Sequence, residues 1–201
     1  CSVYGSQPDT LITEKSPLKP LDFYAEQKFK CERAIGWLNR APTIVRFGTL
    51  FGLSPRMRFD LVINTFIAQA LRKEKIQVFG GNQYRPFLNV DDAAESLIFV
   101  LEKNLTGTYN VVSENLTISE TAQRIKKLSN CEIEVLSENE DKRNYKVSGK
   151  KLKQVGFIPK QTIESSFENI KTAFESGLFN DYLNPKYNNY KLLFGSKDMQ
   201  E

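Results

Sequence analysis

The feature that most constrains this chain is an alternation of two periods. Short β-branched or aromatic runs recur between longer segments whose apolar residues fall three and four positions apart. Leu21 to about Asn39 predicts a helix, with Phe23, Ala25, Phe29, Ala34, Ile35 and Leu38 at helical spacings, and Thr43–Gly48 then reads as a buried strand. A helix over Asp60–Glu74, strands at Gln77–Phe79 and Pro86–Val90, and a helix capped by Asp91 or Asp92 and running to about Lys103 follow. Further on come a strand at Gly107–Val112, a helix at Ser119–Leu128 capped by Thr117 or Ser119, a strand near Glu132–Leu136, a helical stretch at Lys150–Val155 and a last helix, Ile163–Ser176, opened by Thr162 or Glu164. Residues 1–5 read as a strand end, residues 6–20 as a surface loop, Ser137–Lys142 as a charged loop and residues 180–201 as an unpatterned tail. Strands alternating with helices argue for α/β architecture with parallel pairing.

Composition removes several classes of function. The net charge is only +4, and Lys and Glu are interspersed, so no clustered basic face suggests nucleic acid. No apolar stretch approaches the ~20 residues of a membrane span, and no signal-peptide pattern opens the chain. Cys1, Cys31 and Cys131 are odd in number and far apart, which suits neither a disulfide framework nor a metal site. A reducing cytoplasm is the simplest home. With no histidine, acid–base chemistry falls to Tyr, Lys, Asp, Glu or Cys, and Ser-His or Cys-His systems are excluded within these residues. The sequence opens without Met, in what reads as a strand end, and is expected to be part of a longer chain.

The Tyr-x-x-x-Lys spacing occurs at Tyr24/Lys28, Tyr182/Lys186 and Tyr187/Lys191. Pro185 interrupts the second and an Asn-rich stretch surrounds the third, so the first is the pair on a good helix. A spacing of four puts both side chains on one helical face, about 5–6 Å apart at Cβ. An ammonium beside a phenol favours the phenolate. Such a tyrosine can take a proton from a hydroxyl while the carbon beneath it gives up a hydride, and the lysine has donors to spare for a neighbouring hydroxyl.

Around that pair stand, in order, Val3-Tyr4-Gly5, Arg46-Phe47-Gly48-Thr49-Leu50-Phe51-Gly52 and Arg85-Pro86-Phe87-Leu88-Asn89-Val90-Asp91-Asp92. Together with Tyr24 and Lys28 these resemble the NAD-dependent epimerase/dehydratase family of extended short-chain dehydrogenases/reductases, over about residues 1–175. The resemblance implies a Rossmann-type parallel-sheet domain with a smaller α/β substrate-binding domain. Residues 1–60 would then be the remaining part of the Rossmann domain and 61–179 mainly the substrate domain, with a return to the Rossmann domain near 86–103 and a tail at 180–201. It also implies NAD or NADP as cofactor, a nucleotide-sugar substrate passing through a 4-keto sugar, and a homodimer whose apolar face would draw on Phe23, Phe29 and Trp37.

By position, the resemblance makes Tyr24 the base and Lys28 its cofactor-side partner. Phe47, Gly48 and Thr49 would lie beside the nicotinamide, Asn64 would touch substrate, Val78 and Phe79 would line the nucleotide base, and Arg85 and Arg143 would reach the diphosphate. The Gly-rich phosphate loop would precede residue 1 by on the order of 100 residues, and a catalytic Ser or Thr would stand just before Cys1. Cys1 and Ser2 occupy positions where 4,6-dehydratases carry an Asp-Glu acid–base pair, which disfavours elimination of water. Thr49 stands where many relatives have Asn. The leading expectation is therefore a nucleotide-sugar epimerase. The alternatives are a reductase or dehydratase of the same family, or a nucleotide-sugar-binding module without catalysis.

Each residue also has a plainer reading. Arg46 can pair with a carboxylate at a strand end, Arg85 and Arg143 can be surface ion-pair partners, Gly80-Gly81 reads as a turn, and Cys31 reads as buried packing.

Overall fold

The computed structural model describes residues 1–37, 41–136, 141 and 143–195, the side chains of Leu193 and Phe194 excepted. In chain order the elements are β1 (Gln7–Ile12), α1 (Phe23–Gly36), β2 (Thr43–Phe47), β3 (Thr49–Phe51), α2 (Val62–Leu71), β4 (Ile76–Phe79), β5 (Tyr84–Asn89) and α3 (Val90–Glu102). They continue with β6 (Gly107–Val111), β7 (Glu114–Thr117), α4 (Ile118–Ser129), β8 (Ile133–Leu136), β9 (Tyr145–Val147), α5 (Lys150–Gln154), α6 (Ile163–Glu175) and α7 (Asn189–Phe194).

Among the described residues four strand pairs are parallel: β1 with β9, β2 with β6, β3 with β5, and β4 with β8. Only β7, again among the described residues, runs antiparallel, against β5. Parallel neighbours require long crossovers, and the helices supply them. The expected α/β class with parallel pairing is what the chain adopts. Three apolar clusters organise it. The largest joins α2, α4 and α6 to β4 through residues such as Phe66, Ile67, Ile76, Ile125 and Ile170. A second lies between α3, β5, β6 and α5. A third packs Val3 and Tyr4 against Ile12, Val112, Tyr145 and Val147.

Several local readings give way to longer-range pairing. The stretch expected as a loop at 6–20 contains β1, whose residues are mostly exposed and polar because it lies against β9 alone. The expected strand end at residues 1–5 contains a single 3-10 turn, Ser2–Tyr4. The cap of α3 is Asn89, whose Oδ1 accepts from Asp91 N at 2.7 Å. Asp92 instead accepts from the backbone N–H groups of Lys160 and Gln161, both at 2.9 Å, and so ties α3 to the approach to α6. Thr117 and Thr162 each close a capping box, which settles those two helix starts. Cys31, read as buried, is exposed on α1.

The stretch after α6 is not inert. Phe59 sits edge-on to Phe174, Phe179, Tyr182 and Tyr187, at centroid distances of 5.2–5.7 Å. The end of the expected first helix at Leu38 and Asn39, most of the expected loop Ser137–Lys142, and residues 196–201 lie outside the described residues.

Candidate active site

Helix α1 starts cleanly. Asp22 adopts an extended backbone and its Oδ1 accepts from Ala25 N at 2.8 Å. Two residues after Asp22, Tyr24 is 62% exposed, and the Lys28 ammonium lies 5.4 Å from its ring centroid. The helix thus presents a phenol and an ammonium together on one open face. Below them runs an open groove of about 1490 Å³.

Along its described length α1 fully buries only Ala25 and rests a half-buried Phe29 on the third cluster, so a polar contact is its firmer seat. Arg46, on β2 and 8% exposed, is that seat. Its Nε and Nη2 donate to the Glu32 carboxylate at 3.0 and 2.6 Å, and its Nη1 donates to Tyr4 Oη at 2.6 Å. Tyr4 Oη in turn donates to Asn110 Oδ1 on β6 at 2.8 Å, and the guanidinium lies 4.9 Å from the Tyr4 ring centroid. Burial alone would lower the Arg46 pKa, but Glu32 and Tyr4 outweigh it and raise it. Burial pushes the Tyr4 phenol up. Arg46 therefore meets a carboxylate, as its plainer reading holds. Sequence reasoning missed Glu32, although its place eight residues after Tyr24 and four after Lys28 extends the same helical stripe.

The β2–β3 junction forms the groove floor, with Phe47, Gly48 and Thr49 all lining it. A Cβ on Gly48 would stand 3.0 Å from the Pro86 carbonyl oxygen, so any side chain there would crowd the backbone of β5. Asn64, also at the wall, is 3% exposed and already employed. Its Oδ1 accepts from Gly52 N, and its Nδ2 donates to the Arg58 carbonyl, each at 3.0 Å.

At the far wall Phe79 is 40% exposed and lines the groove. Val78, paired with it by resemblance, is completely buried in the α2–α4–α6 core. The alternation of a strand sends neighbours to opposite faces, which is why only one of the two can face a ligand. Arg85 and Arg143 meet at one carboxylate. Arg85 Nη2 pairs with Asp141 Oδ2 at 2.8 Å, and Arg143 pairs with the same oxygen through Nη2 at 2.6 Å. Arg85 Nη1 also donates to the Tyr84 carbonyl at 2.9 Å and to the Arg143 carbonyl. Burial works against ionisation of Asp141, but hydrogen bonds from Arg143 and both guanidinium charges hold its carboxyl well below the usual range.

One groove thus gathers Tyr24, Lys28, Phe47, Gly48, Thr49, Asn64, Phe79, Arg85 and Arg143, and leaves out Val78. Arg56, Arg58, Asp22 and Asp141 line it too, unmarked in the sequence reading. The exposed phenol and ammonium suit the hydroxyls of a nicotinamide ribose. No Gly-rich dinucleotide phosphate loop occurs in these 201 residues. Among the described residues no cluster of His, Cys, Asp or Glu could hold a metal ion.

A family model described as "NAD dependent epimerase/dehydratase family" matches residues 1–112. UDP-glucuronic acid decarboxylase 3 of Arabidopsis thaliana is 35% identical over 173 residues, covering 79% of this chain and 51% of that protein. The chain spans about half the length of the curated relatives it matches. Among solved structures, UDP-N-acetylglucosamine 4-epimerase from Methanobrevibacter ruminantium, in complex with UDP-N-acetylmuramic acid, superposes with a TM-score of 0.76 at 25% identity, covering 88% of this chain and 61% of that one. A dTDP-glucose 4,6-dehydratase from Bacillus anthracis, in complex with NAD, gives a TM-score of 0.74 at 24% identity, covering 87% of this chain and 59% of that one.

Proposed function

The chain belongs to the NAD-dependent epimerase/dehydratase family, and from that premise we propose that it forms the substrate-side part of a nucleotide-sugar 4-epimerase in which Tyr24 is the base and Lys28 its partner. The observation that carries this reading is the exposed Tyr24–Lys28 pair on α1, opening onto the same groove as Arg85 and Arg143. NAD, when bound, accepts a hydride from the sugar carbon and can return it. Tyr24 takes the proton of the C4 hydroxyl as that carbon becomes a ketone, and gives a proton back when the alcohol re-forms. Lys28, on the same face of α1, donates to the nicotinamide ribose. Arg85 and Arg143 hold the diphosphate with planar forks of donors, and Phe79 offers a flat apolar contact to the base. Phe47, Gly48 and Thr49 form the floor beneath the sugar and the nicotinamide. Asn64 serves this site by fixing the Gly52 turn. Phe23 and Trp37, 75% and 78% exposed on either end of α1, supply an apolar face for a homodimer.

The decarboxylase relatives support a second reading. With a uronic acid, the same oxidation places a ketone β to the carboxyl group, and carbon dioxide leaves as the C–C bond electrons pass to an enolate. The two readings share Tyr24 and differ in product.

The test is to add UDP- and dTDP-sugars to the holoenzyme and follow reduced nicotinamide by absorbance. A Tyr24→Phe variant should bind the sugar normally and lose about 10²–10⁴ of kcat. Release of carbon dioxide from UDP-glucuronic acid selects the second reading. A Tyr24→Phe variant with full activity would sink both.

A further inference from the structure

The two arginines assigned to the diphosphate share a carboxylate partner. Asp141 receives both forks at 2.6 and 2.8 Å, and Arg143 also reaches it through Nε at 3.0 Å. The Arg143 backbone N–H closes the same contact onto Asp141 Oδ1 at 3.0 Å, so the carboxylate is locked in place by its own turn. The next carboxylate, Asp22, is 4.0 Å from Arg143 Nη1 and is committed to capping α1. Asp141 thus sits where one oxygen of a diphosphate would bridge the two guanidinium groups. A carboxylate and a phosphate offer these forks the same geometry and the same sign of charge.

Resting on the assignment of Arg85 and Arg143 to the diphosphate above, we propose that Asp141 is a built-in competitor: it fills the arginine pair when the groove is empty and must yield or share when a nucleoside diphosphate enters. Its carboxyl stays ionised throughout the neutral range, because the two guanidinium groups outweigh the cost of its burial. The contact keeps a buried arginine paired before ligand arrives, since Arg85 without it would leave donors desolvated and unmet. It also weakens the grip on the diphosphate, which favours release of the nucleotide sugar after turnover.

The experiment is calorimetric titration of the intact chain with UDP and, separately, with inorganic pyrophosphate. Asp141→Asn should bind both about tenfold more tightly than the unsubstituted protein. Asp141→Glu, which keeps the charge, should stay within about twofold. Asp141→Ser repeats the test if the Asn variant does not fold, as a melting curve will show. Arg143→Gln separates the two levels of the argument. If UDP binds, Arg143→Gln weakens it and Asp141→Asn leaves it unchanged or weaker, the competitor role falls while the diphosphate assignment stands. If UDP does not bind, or is indifferent to Arg143, both fall. Tightening confined to UDP, or shared by Asp141→Glu, would assign the effect to something other than carboxylate competition and overturn the proposal.

Discussion

Helices α1 and α2 are neighbours along the chain and opposites in what holds them. α2 buries Ile63, Asn64, Phe66, Ile67, Ala68 and Ala70 and belongs to the large apolar cluster. α1 buries Ala25 and is seated by the Arg46–Glu32–Tyr4–Asn110 chain of hydrogen bonds. Apolar burial is non-directional and tolerates small shifts, whereas a bidentate ion pair fixes register. The helix that presents Tyr24 and Lys28 is therefore the one positioned by direction-sensitive contacts. The helix that lends Asn64 to the groove wall is held by area.

The strongest blow to that contrast comes from the apolar side. Phe59→Ala removes the ring at the centre of four edge-on partners and should lower stability by about 3–5 kcal/mol in denaturant titration. It should also loosen residues 179–187, which hydrogen exchange would report. A loss under 1 kcal/mol would show that the C-terminal stretch is not part of the core.

Next comes the polar side. Arg46→Met leaves Glu32 partly buried without its partner and should cost about 3 kcal/mol. In a double-mutant cycle with Glu32→Gln, the two losses should fall well short of additive. Additive losses would mean that α1 is seated by something other than this pair.

Asp22→Ala removes the cap of α1 and should cost about 1 kcal/mol. The loss should appear as faster amide exchange in the first turn of α1, with α2 unchanged. Equal changes in both helices would erase the contrast.

The smallest effect is electrostatic and lies on the α4–α6 face. Arg124 bridges Glu114 and Glu164 at 2.6 and 2.7 Å, and its hydrogen bonds lower the Glu164 pKa against the cost of partial burial. A depressed folded-state pKa means stability that is present above the unfolded value of ~4.3 and lost as pH falls through the folded one. Glu164→Gln should cost about 0.5 kcal/mol at pH 7, given the exposure of the pair. The difference from the unsubstituted protein should fade below pH ~4. A difference that persists in acid would mean the side chain acts through packing.

The site was legible to uneven depth. Tyr24 and Lys28 stood out because their spacing and the helical pattern around them are local. Arg85, Arg143 and Phe79 came through the family resemblance, and each lies at the groove. Val78 came with them and lies in the core, because alternation along β4 gives the groove only one of two adjacent residues. Glu32 was missed because it matters through Arg46, 14 residues away, and Asp141 because its place between Arg143 and the distant Arg85, 56 residues off, exists only in the folded chain.

Within the sequence, hydrophobic period and cap chemistry were enough to place most helices and the apolar strands of an α/β chain, since a turn of helix or a strand's alternation is set by neighbours a few residues apart. The polar strand β1, the three-residue strands β3 and β9, the burial of Tyr182 and the two carboxylates on their arginines were decided only when distant segments met. Their residues carry no strong local preference, so the energy that fixes them exists only in the folded chain.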